Sequence, residues 1–266
     1  MRPWAVASCV AGIAVTASAA HAEPLRVLSL DQCADQYVLA LVPDATLALS
    51  PRSDDPDSWM RAAAREHRQV RPTLEAAIGF RPDVVVRYWG GDQRLLRHLE
   101  QRRRRVLTLS DASDFDAIRR NIRIVAQALA VPDRGEILID RMDRQLGTAR
   151  PVNGPRGAAL YLTAGGFTAG AGTLMNAMLQ AAGFSNAADR PGFGPVSVER
   201  IALTPPARFV LGFFDQVRAD WRGPGRHPVV RKAATGRTVT RLPASVLTCP
   251  AWFAADGVAL IAGQKP

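Results

Sequence analysis

Two stretches in opposite halves of the chain follow one plan. The first, Thr73-Leu-Glu75-Ala-Ala-Ile-Gly-Phe-Arg81-Pro82-Asp-Val84-Val-Val86, sets a hydroxyl residue and then a glutamate ahead of a short apolar helix, a proline and a strand. The second, Ser197-Val-Glu199-Arg-Ile-Ala-Leu-Thr-Pro-Pro206-Ala-Arg-Phe209-Val-Leu211, repeats that order. Thr73 and Ser197 are suited to cap their helices, and a carboxylate in a first turn is favoured by the helix dipole. Pro82 cannot continue the first helix and biases Arg81 toward extended backbone. Val84-Val85-Val86 is apolar without alternation, which predicts a strand covered on both faces, as in a parallel sheet. A helix–strand unit that occurs twice predicts two similar α/β lobes. Tyr88-Trp89-Gly90-Gly91 follows the first strand, at the carboxyl end where open α/β sheets receive ligands.

Residues 1–22 are set apart from this plan. Arg2 is followed by a run of small apolar residues and then by Ala20-His21-Ala22, a pattern that predicts a signal peptide cleaved after Ala22. The apolar run is too short for a good membrane span. Loss of Arg2 takes the formal net charge from +10 to +9, because residues 1–22 contain no acid. A basic protein suits nucleic acid, an anionic membrane or an acidic small ligand. The densest run, Arg102 to Arg105, lacks interleaved aromatics and a recognition-helix setting, so it reads as a solvated helix end rather than a nucleic-acid surface. Cys33 and Cys249 remain after cleavage, and an exported pair is expected to form a disulfide.

Strands are expected over residues 25–30, 45–49, 84–86, 106–109, 157–162, 209–213 and 238–242, with helices between them. Asp31 should cap a helix running to Leu41, and further helices are expected near 59–67, 93–101 and 115–129. Pro132 opens a long amphipathic helix to about Arg150, with Ile137, Leu138, Met142 and Leu146 as its apolar stripe. At 1.5 Å per residue it would reach about 27 Å, enough to bridge two lobes. A glycine-rich loop over residues 164–172 leads to a helix over 173–182, and a last helix is expected over 251–261. This organisation gives a signal peptide (1–22), an N-terminal lobe (23–131), a connecting helix (132–152) and a C-terminal lobe (153–266).

Several chemistries find no residues to carry them. The glycine-rich loop has neither the Walker lysine nor a clean dinucleotide fingerprint. His67, His98 and His227 are scattered, which argues against a metal centre. There is no G-x-S-x-G and no evident general-acid pair of carboxylates. What does recur is an aromatic residue at a loop tip or element end: Trp59, Tyr88, Trp89, Phe167, Phe193 and Trp252. Together they predict an apolar cleft wall for a bulky or flat ligand.

These pieces resemble the periplasmic binding proteins for iron complexes and cobalamin. The resemblance spans nearly all of residues 25–262 and rests on Arg26-Val-Leu-Ser-Leu30, Leu74-Glu75 with Arg81-Pro-Asp-Val-Val85, Trp89-Gly-Gly91, Phe167-Thr-Ala-Gly170 and Val196-Ser-Val-Glu199. The chain looks most like the cobalamin-binding member. The resemblance implies two α/β lobes, each with a parallel sheet flanked by helices, joined by one long rigid helix with a ligand cleft between them. It implies a soluble monomer in the periplasm that captures a metal chelate (cobalamin or another corrinoid, haem or a ferric siderophore) and delivers it to an ABC importer permease. No catalysis, no resident cofactor or metal and no nucleic-acid partner are implied. Tyr88, Phe167, Tyr161 and Phe193 match aromatic ligand-wall positions, Trp89 falls in the place of an arginine next to Tyr88, and Gln69 stands where a further tryptophan is expected, a gap that Trp59 is placed to fill. Arg52 and Arg87, near the expected cleft, would suit an anionic chelate. Glu75 and Glu199 match the pair, one per lobe, that docks onto permease arginines. Two other readings stay open: an enzyme on the same architecture with a reactive Cys33, and a basic adaptor for acidic surfaces.

Overall fold

The computed structural model describes residues 23–151, 154–216 and 222–264. The expected signal peptide and the boundary at 152–153 lie outside the described residues. In the N-terminal half β1 (Arg26–Ser29), α1 (Gln32–Leu41), β2 (Thr46–Leu49), α2 (Arg61–Ala64), β3 (Arg68–Gln69), α3 (Leu74–Phe80), β4 (Val84–Arg87), α4 (Gln93–Gln101), β5 (Arg105–Thr108) and α5 (Phe115–Ala128) alternate along the chain. The five strands form a wholly parallel sheet in the order β3-β2-β1-β4-β5. α6 (Pro132–Ala149) follows, and the second half adds β6 (Ala158–Thr163), β7 (Phe167–Ala169), α7 (Leu174–Ala181), β8 (Ser185–Asn186), β9 (Phe193–Pro195), α8 (Val198–Leu203), β10 (Arg208–Gly212), α9 (Pro228–Ala234), β11 (Thr238–Leu242) and α10 (Ala254–Ile261). Its main sheet is parallel in the order β11-β10-β6-β8.

The repeat is present in both lobes. Thr73 Oγ1 accepts from the Ala76 amide and Ser197 Oγ from the Arg200 amide, so each hydroxyl caps its short helix. β4 and β10 follow, and Val84, Val85 and Val86 are all buried. The stop of α3 differs from the expectation: Arg81 is left-handed, at φ 51° and ψ 61°, rather than extended. Its amide bonds to the Ala77 carbonyl, and this last helical bond outweighs the bias from Pro82. The helix expected over 59–67 is a single turn, followed by the two-residue strand β3. The loop at 164–172 is not plain either, since β7 lies within it and pairs antiparallel with β9.

One apolar cluster spans the two halves. Alternate strand residues face opposite sides of each sheet. On one side, Val27, Val84 and Val86 of the first sheet and Tyr161 and Val210 of the second join a single apolar cluster with α1, α5, α6, α7 and α10. On the other side each lobe has its own cluster, Leu28 with Val85 and Leu95 in one, Leu160 with Phe209 and Val230 in the other. The 18-residue helix α6 packs on α5 and on α10. A side chain at Gly135 would come within 2.6 Å of Ala126 Cβ, so glycine permits the close approach of α6 to α5. Leu138, Ile139 and Met142 face inward, whereas Ile137, expected in the stripe, is 65% exposed. Cys33, in the first turn of α1, is disulfide-bonded to Cys249, with Cα atoms 5.3 Å apart.

Candidate functional site

Asp31 organises the N-terminal side of the site. It is fully buried, and one carboxylate oxygen accepts from the Cys33 and Ala34 amides at 3.1 and 3.0 Å, capping α1. The other accepts from three successive amides, those of Tyr88, Trp89 and Gly90, at 2.7, 3.0 and 2.9 Å. A single side chain thus holds both a helix start and the aromatic loop after β4, through five hydrogen bonds to backbone amides. Sequence reading found the cap but missed the second role, because those partners lie 57–59 positions away. The loop can come this close only because of Gly90, where a Cβ would lie 2.2 Å from the Leu30 carbonyl oxygen. Arg87 closes the loop from the other side, donating to the Gly90 and Trp89 carbonyls.

That frame presents Trp89 to solvent, at 56% exposure, and leaves Tyr88 half-buried. The Tyr88 hydroxyl donates to Asp111 at 2.6 Å. Burial, and then Asp111, pushes its ionisation above the ordinary phenol range, so it stays a neutral donor. In the other lobe β7 and β9 form a ribbon just beyond the end of β6. Register pairs Phe167 with Pro195 and Ala169 with Phe193, so strand parity places both phenylalanines on one face. They are 52% and 77% exposed. Thr163 Oγ1 accepts from the Phe167 amide and Asn186 donates to the Ala169 carbonyl, fixing the ribbon to its lobe.

The two lobes meet at their strand carboxyl ends. Asp57, after β2, accepts from Gln32 and, across the joint, from Gln216 after β10 at 3.1 Å and from Thr248 after β11 at 3.4 Å. Tyr37 Oη donates to the Pro250 carbonyl at 2.8 Å, and Trp59 stacks on Phe253 at 5.2 Å between ring centroids. Beneath the loop at 50–58 lies buried Asp35, which accepts from the amide and hydroxyl of Ser50. Burial raises its pKa to about 6, against the pull of its Ser29 and Ser50 hydrogen bonds.

Not every expected wall residue reaches this surface. Tyr161 and Trp252 are 3% and 4% exposed and belong to the shared core, so neither offers a face to a ligand; α10 begins only at Ala254. Trp59 is committed to Phe253. Arg52 is paired with Asp55 at 2.7 Å, and Arg87 is spent on its own loop, so neither stands as a free cation. Glu75 and Glu199 are both exposed in first turns, and hydrogen bonds involving their own amides and the capping hydroxyls keep both carboxyls below their ordinary pKa. Among the described residues, no three His, Cys, Asp or Glu side chains gather as a metal site, and no helix is long and apolar enough to cross a membrane.

Two parallel-sheet lobes with a common core, joined by a long helix and carrying exposed rings beyond β4 in one and beyond β6 in the other, define the two-lobed binding-protein class. The chain belongs to the periplasmic binding protein family, whose profile matches residues 28–211. Among solved structures it is similar to a periplasmic heme binding protein from Pseudomonas aeruginosa, at 24% identity and TM-score 0.63, covering 90% of this chain and 92% of that one. It is also similar to the periplasmic heme binding protein HutB of Vibrio cholerae (15%, TM-score 0.69, 90% and 98%). The vitamin B12 binding protein BtuF of Vibrio cholerae matches at 20% and TM-score 0.63, over 91% and 96% of the two chains. A sequence search of curated proteins found no match.

Proposed function

We propose that the protein is the periplasmic receptor of an ABC importer. It captures one metal chelate, a haem, a corrinoid or a ferric siderophore, between its lobes and performs no chemistry on it. The observation that carries this reading is the exposure of three large rings, Trp89 just past the end of β4 in one lobe and Phe167 and Phe193 on the ribbon beyond β6 in the other. Large apolar surface is left in water where a partner will cover it, and flat rings suit a macrocycle or an aromatic chelate. The names of the structural neighbours, which bind heme or vitamin B12, support the same ligand class. Recognition is by stacking rather than by a protein ligand to the metal. Tyr37 and Tyr161 are interior, and the Tyr88 hydroxyl is held as a donor to Asp111.

Delivery follows from the repeat. Glu75 and Glu199 lie at matching positions on α3 and α8, ionised and free of any strong cation partner among the described residues, so a permease bearing arginines can grip both lobes at once. The enzyme reading loses its nucleophile, since Cys33 is in a disulfide. The test is a spectral titration of the purified protein with haem, cobalamin and a panel of ferric siderophores. One of them should saturate at one equivalent, and Trp89→Ala or Phe193→Ala should weaken it roughly tenfold or more, as expected for losing about 1.5–3 kcal/mol of ring burial. Steeply salt-dependent binding to anionic polymer, with no saturable chelate, would favour a basic adaptor instead.

A further inference from the structure

Three arginines without an ion pair among the described residues line one cavity on the flank of the C-terminal lobe. The cavity, of about 740 Å³, opens between α9 and the edge strand β11. Its lining combines the apolar Leu211, Val230 and Ala234 with Phe214 and three arginines, Arg226, Arg231 and Arg241. Two guanidinium groups share that ring, Arg226 at 5.0 Å and Arg241 at 5.7 Å from its centroid. Phe213, just before it, takes a left-handed backbone at φ 60°, a costly conformation for a bulky residue, and that turn sets the direction of Phe214. Arg226 is fixed by donation from Nη2 to the Phe214 carbonyl at 2.9 Å, while its buried Nε has no hydrogen-bond acceptor among the described residues.

No acidic side chain lines the cavity. None of the three arginines has an ion pair among the described residues, although elsewhere Arg52, Arg65, Arg119, Arg123, Arg134 and Arg200 all do. Two like charges at one ring, with a third lining the same cavity, repel each other, and an oxyanion placed among them would relieve that repulsion and form charge-assisted hydrogen bonds. The basic run at Arg102 to Arg104 lacks these features: it is an exposed helix end without a ring or a buried unpartnered nitrogen. The volume is that of a small-molecule site.

We infer that this flank binds a small amphipathic anion, a carboxylate or phosphate monoester with an apolar body. Its charged head lies among Arg226, Arg231 and Arg241, and its body lies against Phe214 and Leu211. The site is separate from the rings of Trp89, Phe167 and Phe193 and does not depend on what they bind.

Calorimetric titration of the full chain with phenyl phosphate, inorganic phosphate and benzyl alcohol tests the proposal. Phenyl phosphate should saturate at one equivalent, inorganic phosphate should bind at least tenfold more weakly, and benzyl alcohol should not bind. Arg241→Gln and Arg231→Gln, both at exposed positions that leave the core intact, should each weaken phenyl phosphate about tenfold, and Arg102→Gln should change nothing. The proposal is overturned if phenyl phosphate fails to saturate. It is equally overturned if the flank variants bind as the parent does, or if Arg102→Gln loses as much as they do.

Discussion

Replacing Asp31 with alanine should damage stability and the aromatic loop together. The carboxylate accepts five backbone amides, two at the start of α1 and three in the loop at 88–90. Loss of a helix cap costs about 1 kcal/mol. Each buried amide left without an acceptor costs about 1–3 kcal/mol. Water can reach the Tyr88 and Trp89 amides once the loop loosens, whereas the Gly90 amide is buried against Leu30. A total loss of roughly 3–5 kcal/mol follows from the cap, one stranded amide and weakened bonds at the other two. Urea unfolding followed by far-ultraviolet circular dichroism measures the loss. Selective quenching of Trp89 by acrylamide, read against Trp89→Phe, reports the loop, and quenching should rise in the alanine variant even where the protein is fully folded. A loss below about 1 kcal/mol with unchanged quenching would refute the assignment of Asp31 as the holder of both elements.

The remaining predictions concern charge, covalent closure and docking. Asp35 in the folded protein keeps its proton up to about pH 6, while the unfolded chain releases it near 3.8. The stabilisation from the neutral acid is therefore complete below about pH 3.8 and lost as pH rises through 6. Asp35→Asn should accordingly gain about 1.4 kcal/mol of stability on the parent between pH 5 and pH 8, and paired urea melts at the two pH values check this. The Cys33–Cys249 bridge spans 216 positions, for which chain entropy gives roughly 5 kcal/mol. Cys33→Ser with Cys249→Ser should lower the melting temperature markedly, and thiol titration of the native parent should find neither cysteine reactive. Glu75→Arg and Glu199→Arg should abolish uptake by proteoliposomes containing the cognate permease while leaving chelate affinity within about twofold, since both residues are exposed and lie in helix first turns rather than with the rings.

Local chemistry made much of the scaffold legible. Asp31, Thr73 and Ser197 read as caps because a short polar side chain before an apolar run has few other uses, and the unbroken Val84–Val86 run reads as a strand buried on both faces. What was hidden depends on distant partners. The β7–β9 ribbon pairs residues separated by all of α7, and neither Phe167-Thr-Ala169 nor Phe193-Gly-Pro195 has a strand pattern of its own. The strands β3 and β8 are two residues each and exist only because β2 and β6 offer an edge. Tyr161 and Trp252 show the limit at the site itself. An aromatic residue at an element's end carries no mark of which way it faces, and these two turn into the core that spans both lobes. Asp57, which ties the lobes together, had no signal beyond its place in a polar loop.

The central claim is that a metal chelate sits between the exposed rings of the two lobes. Anomalous diffraction from a crystal of the complex, collected at the absorption edge of the chelate's metal, locates that metal directly. A single strong peak lying between Trp89 on one side and Phe167 with Phe193 on the other is the predicted result. A peak anywhere else on the molecule, with those three rings still bare, would contradict the account.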